Sequence, residues 1–210
     1  MGYKLKEVGH DIFLLDFDNQ YDLAMTFLRY QEFYECASTK FRGKSFKLLD
    51  FMSWYAKKYG DGGFNYTTSW AGFNFPASII PAVRELGIPD PNDYDAIMFE
   101  IYNRICQETK RPSYLIGTCG DNALEHEIAH GLFFVDPSYK RTMTHLVKTL
   151  DADVKKRVFK HLTTLGYARK VLIDETQAYM ATGAEYSWRV SGKTRMPFIE
   201  QFKKYYPQKV

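Results

Sequence analysis

Residues 126–130 read His126-Glu127-Ile128-Ala129-His130. Two histidines four apart on an α-helix are turned by about 400°, so they lie about 40° apart on one face, one turn along. Two imidazoles can then aim at one point. That suits Zn²⁺, which takes neutral imidazole nitrogen at about 2.0–2.1 Å and prefers a tetrahedron. Glu127 projects from the neighbouring face, where it reaches a metal-activated water without ligating the metal. The pattern is two ligands and a general base, which is hydrolytic chemistry.

That chemistry requires a helix. Gly120-Asp121 reads as a turn, Asn122 as an N-cap, and Glu125 stands three residues on, as in a capping box. Leu124, Ile128 and Leu132 recur every four residues as an apolar stripe beside the histidines. A helix from Asn122 is therefore expected.

These residues resemble the zincin metallopeptidases, whose motif is His-Glu-x-x-His. The resemblance covers the motif helix and, more loosely, a second segment; residues 1–110 match no recognised family. It implies a third ligand, and two candidates stand out. Asp136 lies six residues after His130, the spacing of the metzincin branch. That branch breaks its helix with a glycine where this chain has Phe133, and a continuing helix turns Asp136 roughly 240° from His130. Pro137 after it suggests that Asp136 caps a new helix. Glu175 lies in Asp174-Glu175-Thr176-Gln177-Ala178, similar to the Asp/Asn-Glu-x-x-Ala/Ser pattern of the gluzincin branch, in which a later helix completes His-His-Glu. Leu172, Thr176 and Tyr179 give this segment a helical rhythm, and Gly131 and Ala178 are small enough for two helices to pack closely. Glu175 is favoured over Asp136, with Glu185 third.

The resemblance implies a Zn²⁺ held by His126, His130 and Glu175, with an open fourth position and Glu127 as proton carrier in peptide-bond hydrolysis. A hydroxyl donor is expected for the oxyanion. Tyr139, Tyr167, Tyr179 and Tyr186 are all candidates. Asp174 is a candidate to orient a ligating histidine. The expected fold is α+β, a mainly helical zincin-like domain over 1–210 with a small sheet packed on the metal-binding helix and the metal site in 111–210. A reading of another class stays open: a zincin-like binding or regulatory protein that keeps its zinc but turns over little.

The elements that must position these residues follow from periodicity. Asp11–Phe17 reads as a strand and Tyr21–Glu35 as a helix. A second helix is expected from a Ser45 cap to Tyr59, with Leu48, Leu49, Met52 and Tyr55 inward. Phe64–Phe75 reads as a hairpin or an aromatic arm, Ala77–Leu86 as a short helix and Asn92–Gln107 as a clearer one. Pro112–Gly117 reads as a strand before the motif helix. In zincins an edge strand there takes peptide by strand addition, though a plain buried strand fits equally. Helices are expected over Pro137–Leu150, Asp151–Leu165, the Glu175 segment up to Gly183, and Met196–Tyr206.

Composition excludes other classes. Net charge is +3 and scattered, which argues against nucleic-acid binding. No apolar run is long enough for a membrane span, no signal core opens the chain, and Cys36, Cys106 and Cys119 have no metal spacing, so a cytoplasmic enzyme acting on a peptide or protein is expected. Cys119 is a loop thiol close before the motif, and His145 and His161 lack a neighbour at ligand spacing. Gly43-Lys44-Ser45 and Gly192-Lys193-Thr194 lack the first glycine of a phosphate loop, because Ser38 and Ser187 hold it. The 35 aromatic residues (16 Tyr, 16 Phe, 3 Trp) are core or groove.

Overall fold

The structure, a computed structural model, describes residues 2–120, 123–183 and 190–206. It is mainly helical, with a small mixed sheet, an α+β arrangement. The sheet begins with a hairpin of β1 (Tyr3–Gly9) and β2 (Ile12–Phe17), turned at His10 and Asp11, both in the left-handed region with φ of 56° and 62°. β3 (Gly72–Pro76) and β4 (Tyr114–Thr118) complete it in the order β1-β2-β4-β3. β4 runs parallel to β2, from Ile12↔Tyr114 to Asp16↔Thr118, and antiparallel to β3.

The expected strand at Pro112–Gly117 is therefore interior, paired on both sides, with every residue buried. It cannot accept an added strand. The edge near the motif helix is β3, inside the segment read as a hairpin or arm. That segment is a short helix, α3 (Tyr66–Ser69), followed by the strand.

Alternation sorts the central strands between two cores. Phe13, Leu15, Phe17 and Leu115 face a core built with α1 (Gln20–Glu35), α2 (Leu48–Tyr59), α4 (Ile79–Glu85) and α5 (Asp93–Glu108). Ile12, Leu14, Tyr114 and Ile116 face the other core, with α6 (Leu124–Val135), α7 (Pro137–Lys148), α8 (Ala152–Thr164), α9 (Leu172–Thr182) and α10 (Gly192–Tyr205). A strand covered by helices on both faces reads as a continuous apolar run, as Ile12–Leu15 does. Two glycines set the spacing. A Cβ on Gly117 would sit 2.4 Å from the Phe27 ring of α1, and one on Gly131 would sit 2.8 Å from Ile12 of β2. Gly131 thus lets α6 approach the sheet rather than α9.

Local rules set most helix ends. Asn92 and Asp95 form a capping box on α5. Asp151 caps α8, and Gly183 closes α9 at φ 86°. Ser191 caps α10, so the rejected phosphate-loop sequence is a helix start, four residues earlier than Met196. α2 departs from expectation: it starts at Leu48, and Ser45 instead donates to Gly87 O. The first amide of α2, Leu48 N, donates to Asp90 Oδ2 at 2.8 Å. A distant carboxylate replaces the local hydroxyl, and Leu49, expected inward, is 70% exposed, whereas Phe51 is buried.

Asp90, half-buried, also joins a charge cluster centred on the buried Arg29. Arg29 of α1 pairs with Asp95 through Nε (2.9 Å) and with Asp90 through Nη2 (3.0 Å), and donates through Nη1 to Phe46 O (2.6 Å). Its side chain is 4% exposed. Removing Arg29 strands the buried Asp95 carboxylate, 4% exposed, without water. Arg29→Met is expected to destabilise the fold by about 3–5 kcal/mol, read from urea unfolding. Arg111→Ala, which breaks a pair to Asp11 from a 77% exposed side chain, should cost about 0–1 kcal/mol.

Candidate metal centre

α6 crosses the sheet on one face, with Ile128 and Leu132 buried against it. This fixes the opposite helix face, and with it His126 and His130, toward α9. The helix begins at Leu124. Ala123 precedes it without a side-chain cap, and Asn122, the expected cap, lies outside the described residues. Glu175, in the first turn of α9, completes the cluster: His126, His130 and Glu175 each offer a ligand atom within 4.8 Å of the others.

The two Nε2 atoms are 3.3 Å apart. Nitrogens bound to one tetrahedral ion at about 2.0–2.1 Å stand about 3.3–3.4 Å apart, so the spacing matches a shared ion. Glu175 lies 3.7 Å from His130 Nε2 through Oε1 and 4.0 Å from His126 Nε2 through Oε2. Its Oε2 is buried with no hydrogen-bond partner. A buried carboxylate oxygen with nothing to accept from is costly unless a cation answers it. Imidazole, imidazole and carboxylate are also the donor set for a borderline divalent metal.

The far nitrogens are held so that Nε2 of each ring points to the shared site. His130 Nδ1 is 2.9 Å from Asp174 Oδ1, whose carboxylate can only accept. Thr182 donates its hydroxyl to Ala178 O, leaving its oxygen to accept from His126 Nδ1 at 3.4 Å. Asp174 is itself held by Gln177 Nε2 (3.0 Å), which also donates to Ala129 O on α6, and Gln177 Oε1 accepts from Tyr139 of α7 (2.9 Å). Burial, then the charge on His130, pushes His126 well below the ordinary imidazole range. Burial opposes a charge on His130 too, but Asp174 and Glu175 outweigh it and hold His130 above that range. Burial lifts Glu175 well above an ordinary carboxylate.

Glu127 is 4% exposed. Asn74 of β3 donates to its Oε2 at 2.5 Å, and a Cβ on Gly72 would fall 2.3 Å from its Oε1. The carboxylate therefore rests on the edge strand at a place only glycine leaves open. Burial raises Glu127 to about 7, with His130 and Asn74 opposing. Glu127 and the triad line one cavity of about 470 Å³, which also takes in α1, α3, β3 and the Leu165-Gly166-Tyr167 turn. A smaller cavity of about 250 Å³ shares none of its lining residues.

The other candidates separate clearly. Asp136 caps α7, accepting from Ser138 N and Tyr139 N, with Pro137 at the first helical position as expected, and does not line the cavity. Glu185 and Tyr186 lie outside the described residues. Tyr167 and Tyr179 line the cavity, with their hydroxyls 3.4 Å apart, whereas Tyr139 is spent on Gln177. Cys119, His145 and His161 do not line it.

Sequence reasoning missed Asn74, Gln177, Glu32 and Glu35. Asn74 had a signal, a lone polar residue between Phe73 and Phe75; so did Gln177, three residues after Asp174 on the same helix face. Comparison with protein-family models, curated proteins and solved structures finds no match to this chain.

Three substitutions test the ligand set, with added Zn²⁺ as the probe in competition with a chromophoric chelator. Glu175→Ala should lose most of the affinity. Asp174→Asn should weaken it about 10–100-fold through the His130 orientation. Asp136→Ala should leave it unchanged and cost about 1 kcal/mol of stability.

Proposed function

We propose that this chain is a zinc-dependent hydrolase of the zincin type, gluzincin-like in its ligand set, that cleaves peptide bonds with Glu127 as general base. The observation that carries this reading is the shared cavity. An incompletely surrounded His126–His130–Glu175 cluster and a buried carboxylate aimed beside it open onto one space large enough for a peptide segment. A structural zinc is closed by four protein ligands; here three converge among the described residues.

When bound, zinc supplies Lewis acidity, which acidifies water and polarises a carbonyl. The residues supply the rest. Glu127, buried beside the triad and held by Asn74, takes a proton from water and returns it to a leaving amine. Asn74 holds that carboxylate against the edge strand, and the Asn74 amide is itself fixed to Gln31 Oε1 of α1 at 3.0 Å. An oxyanion takes its hydroxyl donor from Tyr167 or Tyr179, which both line the cavity; burial raises Tyr167 further above its ordinary range and keeps its hydroxyl protonated. Among the described residues no helix is long and apolar enough to cross a membrane.

Glu127→Gln separates an enzyme from a zinc-retaining binding protein. The variant should keep its zinc, measured by metal analysis, and lose about 10²–10⁴-fold in peptide cleavage, scored by mass spectrometry on a mixed peptide library. Undiminished cleavage removes Glu127 from the reaction.

A further inference from the structure

The cavity has a second wall that the hydrolytic chemistry does not use. On α1, Glu32 and Glu35 stand three residues apart and both line it, opposite the helices that carry the triad. Around them are Trp54 and Tyr55 of α2, Tyr66 of α3 and Trp70. Tyr66 donates its hydroxyl to Glu32 at 2.8 Å, and Gln31 donates its amide to Glu35 at 2.6 Å. Neither bond supplies positive charge.

Among the described residues no Lys, Arg or His forms an ion pair with Glu32 or Glu35. The nearby ammonium groups are engaged elsewhere. Lys170 donates to Tyr34 O and sits over the Tyr34 ring, acting on Glu35 only at a distance, and Lys58 sits over Trp54 and Tyr59 from an exposed position. The same cavity holds Glu175, 4% exposed with its Oε2 unpartnered. A dication at the triad answers Glu175 and the neighbouring Glu127. Glu35 feels positive charge only at a distance, from His130 and Lys170, neither of which forms an ion pair with it, and among the described residues no cation bears on Glu32. Aromatic faces beside carboxylates make a setting that favours an organic cation, because ring quadrupoles and anions attract it together.

We propose that Glu32 and Glu35, framed by Trp54, Tyr55, Tyr66 and Trp70, form a subsite for a cationic group of the substrate, a lysine or arginine side chain or a free α-amine. The inference rests on the hydrolase reading in placing a peptide in this cavity, and it names the class of peptide. Burial raises both carboxyls to about 7, with hydrogen bonds to each opposing it. An arriving cation would favour their ionised forms, so the subsite gains its full charge only when filled.

The test measures binding and cleavage separately. Fluorescent peptides of one length carry Arg, Lys, Gln or Leu at each position in turn with an acetylated N-terminus; a neutral Leu peptide with a free N-terminus completes the set. Dissociation constants are measured by anisotropy on the full chain, zinc-loaded and carrying Glu127→Gln so that bound peptide is not consumed. Cationic peptides should bind about tenfold or more tighter than their neutral counterparts. That advantage should shrink to about twofold or less when Glu32→Gln and Glu35→Gln are added. Preference among the acetylated Arg and Lys peptides assigns the subsite to a side chain, and preference for the free N-terminus alone assigns it to an α-amine. Gln keeps each hydrogen-bonding shape, and either substitution singly should remove part of the advantage if the pair fails to fold. Equal affinity of cationic and neutral peptides, absence of binding, or an advantage that survives both substitutions overturns the subsite. Wild-type chain that binds cationic peptides selectively but cleaves none overturns the hydrolase reading and leaves the subsite standing.

Discussion

The carboxylate of Glu175 is buried between two imidazoles, with one oxygen that no group among the described residues satisfies. A carboxyl taken out of water in this way either stays protonated or is answered by a cation, and the three side chains could hold one. α9 carries Glu175 into the core and, one residue earlier, turns Asp174 onto His130. Gln177, one turn further on, joins Asp174 to the backbone of α6 and takes the hydroxyl of Tyr139 from α7. The three helices are thus keyed by one chain of hydrogen bonds that ends at a ligand nitrogen. A shift of α9 along its axis breaks the chain and the ligand geometry together, so packing and donor placement are not independent properties here.

On the other side of the centre the constraint is steric. Gly72 leaves space for the Glu127 carboxylate, Asn74 grips it, and Tyr114 of the neighbouring strand donates to Asn74 Oδ1. The Glu127 carboxylate is therefore supported by the sheet and the His126–His130–Glu175 cluster by helices. The two supports meet only because Gly131 lets α6 lie close to β2.

What could be read beforehand divides along the same line. The His126–His130 pair, the Asp136 cap with Pro137, the Gly183 stop and the helical rhythm around Glu175 all depend on residues within one or two turns, and each appears where its spacing placed it. The convergence of Glu175 on the histidines was legible only through a resemblance, because no periodicity says which helices touch. Misreadings came from distant partners. Ser45 gave way to Asp90 at the start of α2, the role of Gly131 was fixed by Ile12, and the Pro112–Gly117 strand lost its edge to β3. Glu32 and Glu35 look like any acidic pair on a helix until α2 and α3 fold over them.

The strand order has a consequence for how the molecule comes to be assembled. β4 occupies a slot between β2 and β3, two strands that precede it in the chain and do not pair with each other. A nascent chain that has left the ribosome only as far as Arg111 holds those strands with their inner edges bare, and the register that joins them, Ile12 to Tyr114, spans almost half the polypeptide. Such long-range closure slows folding and leaves strand edges open to foreign pairing until synthesis is well advanced. α6 emerges directly behind the strand that closes the slot, so the sheet is sealed just before His126 and His130 arrive.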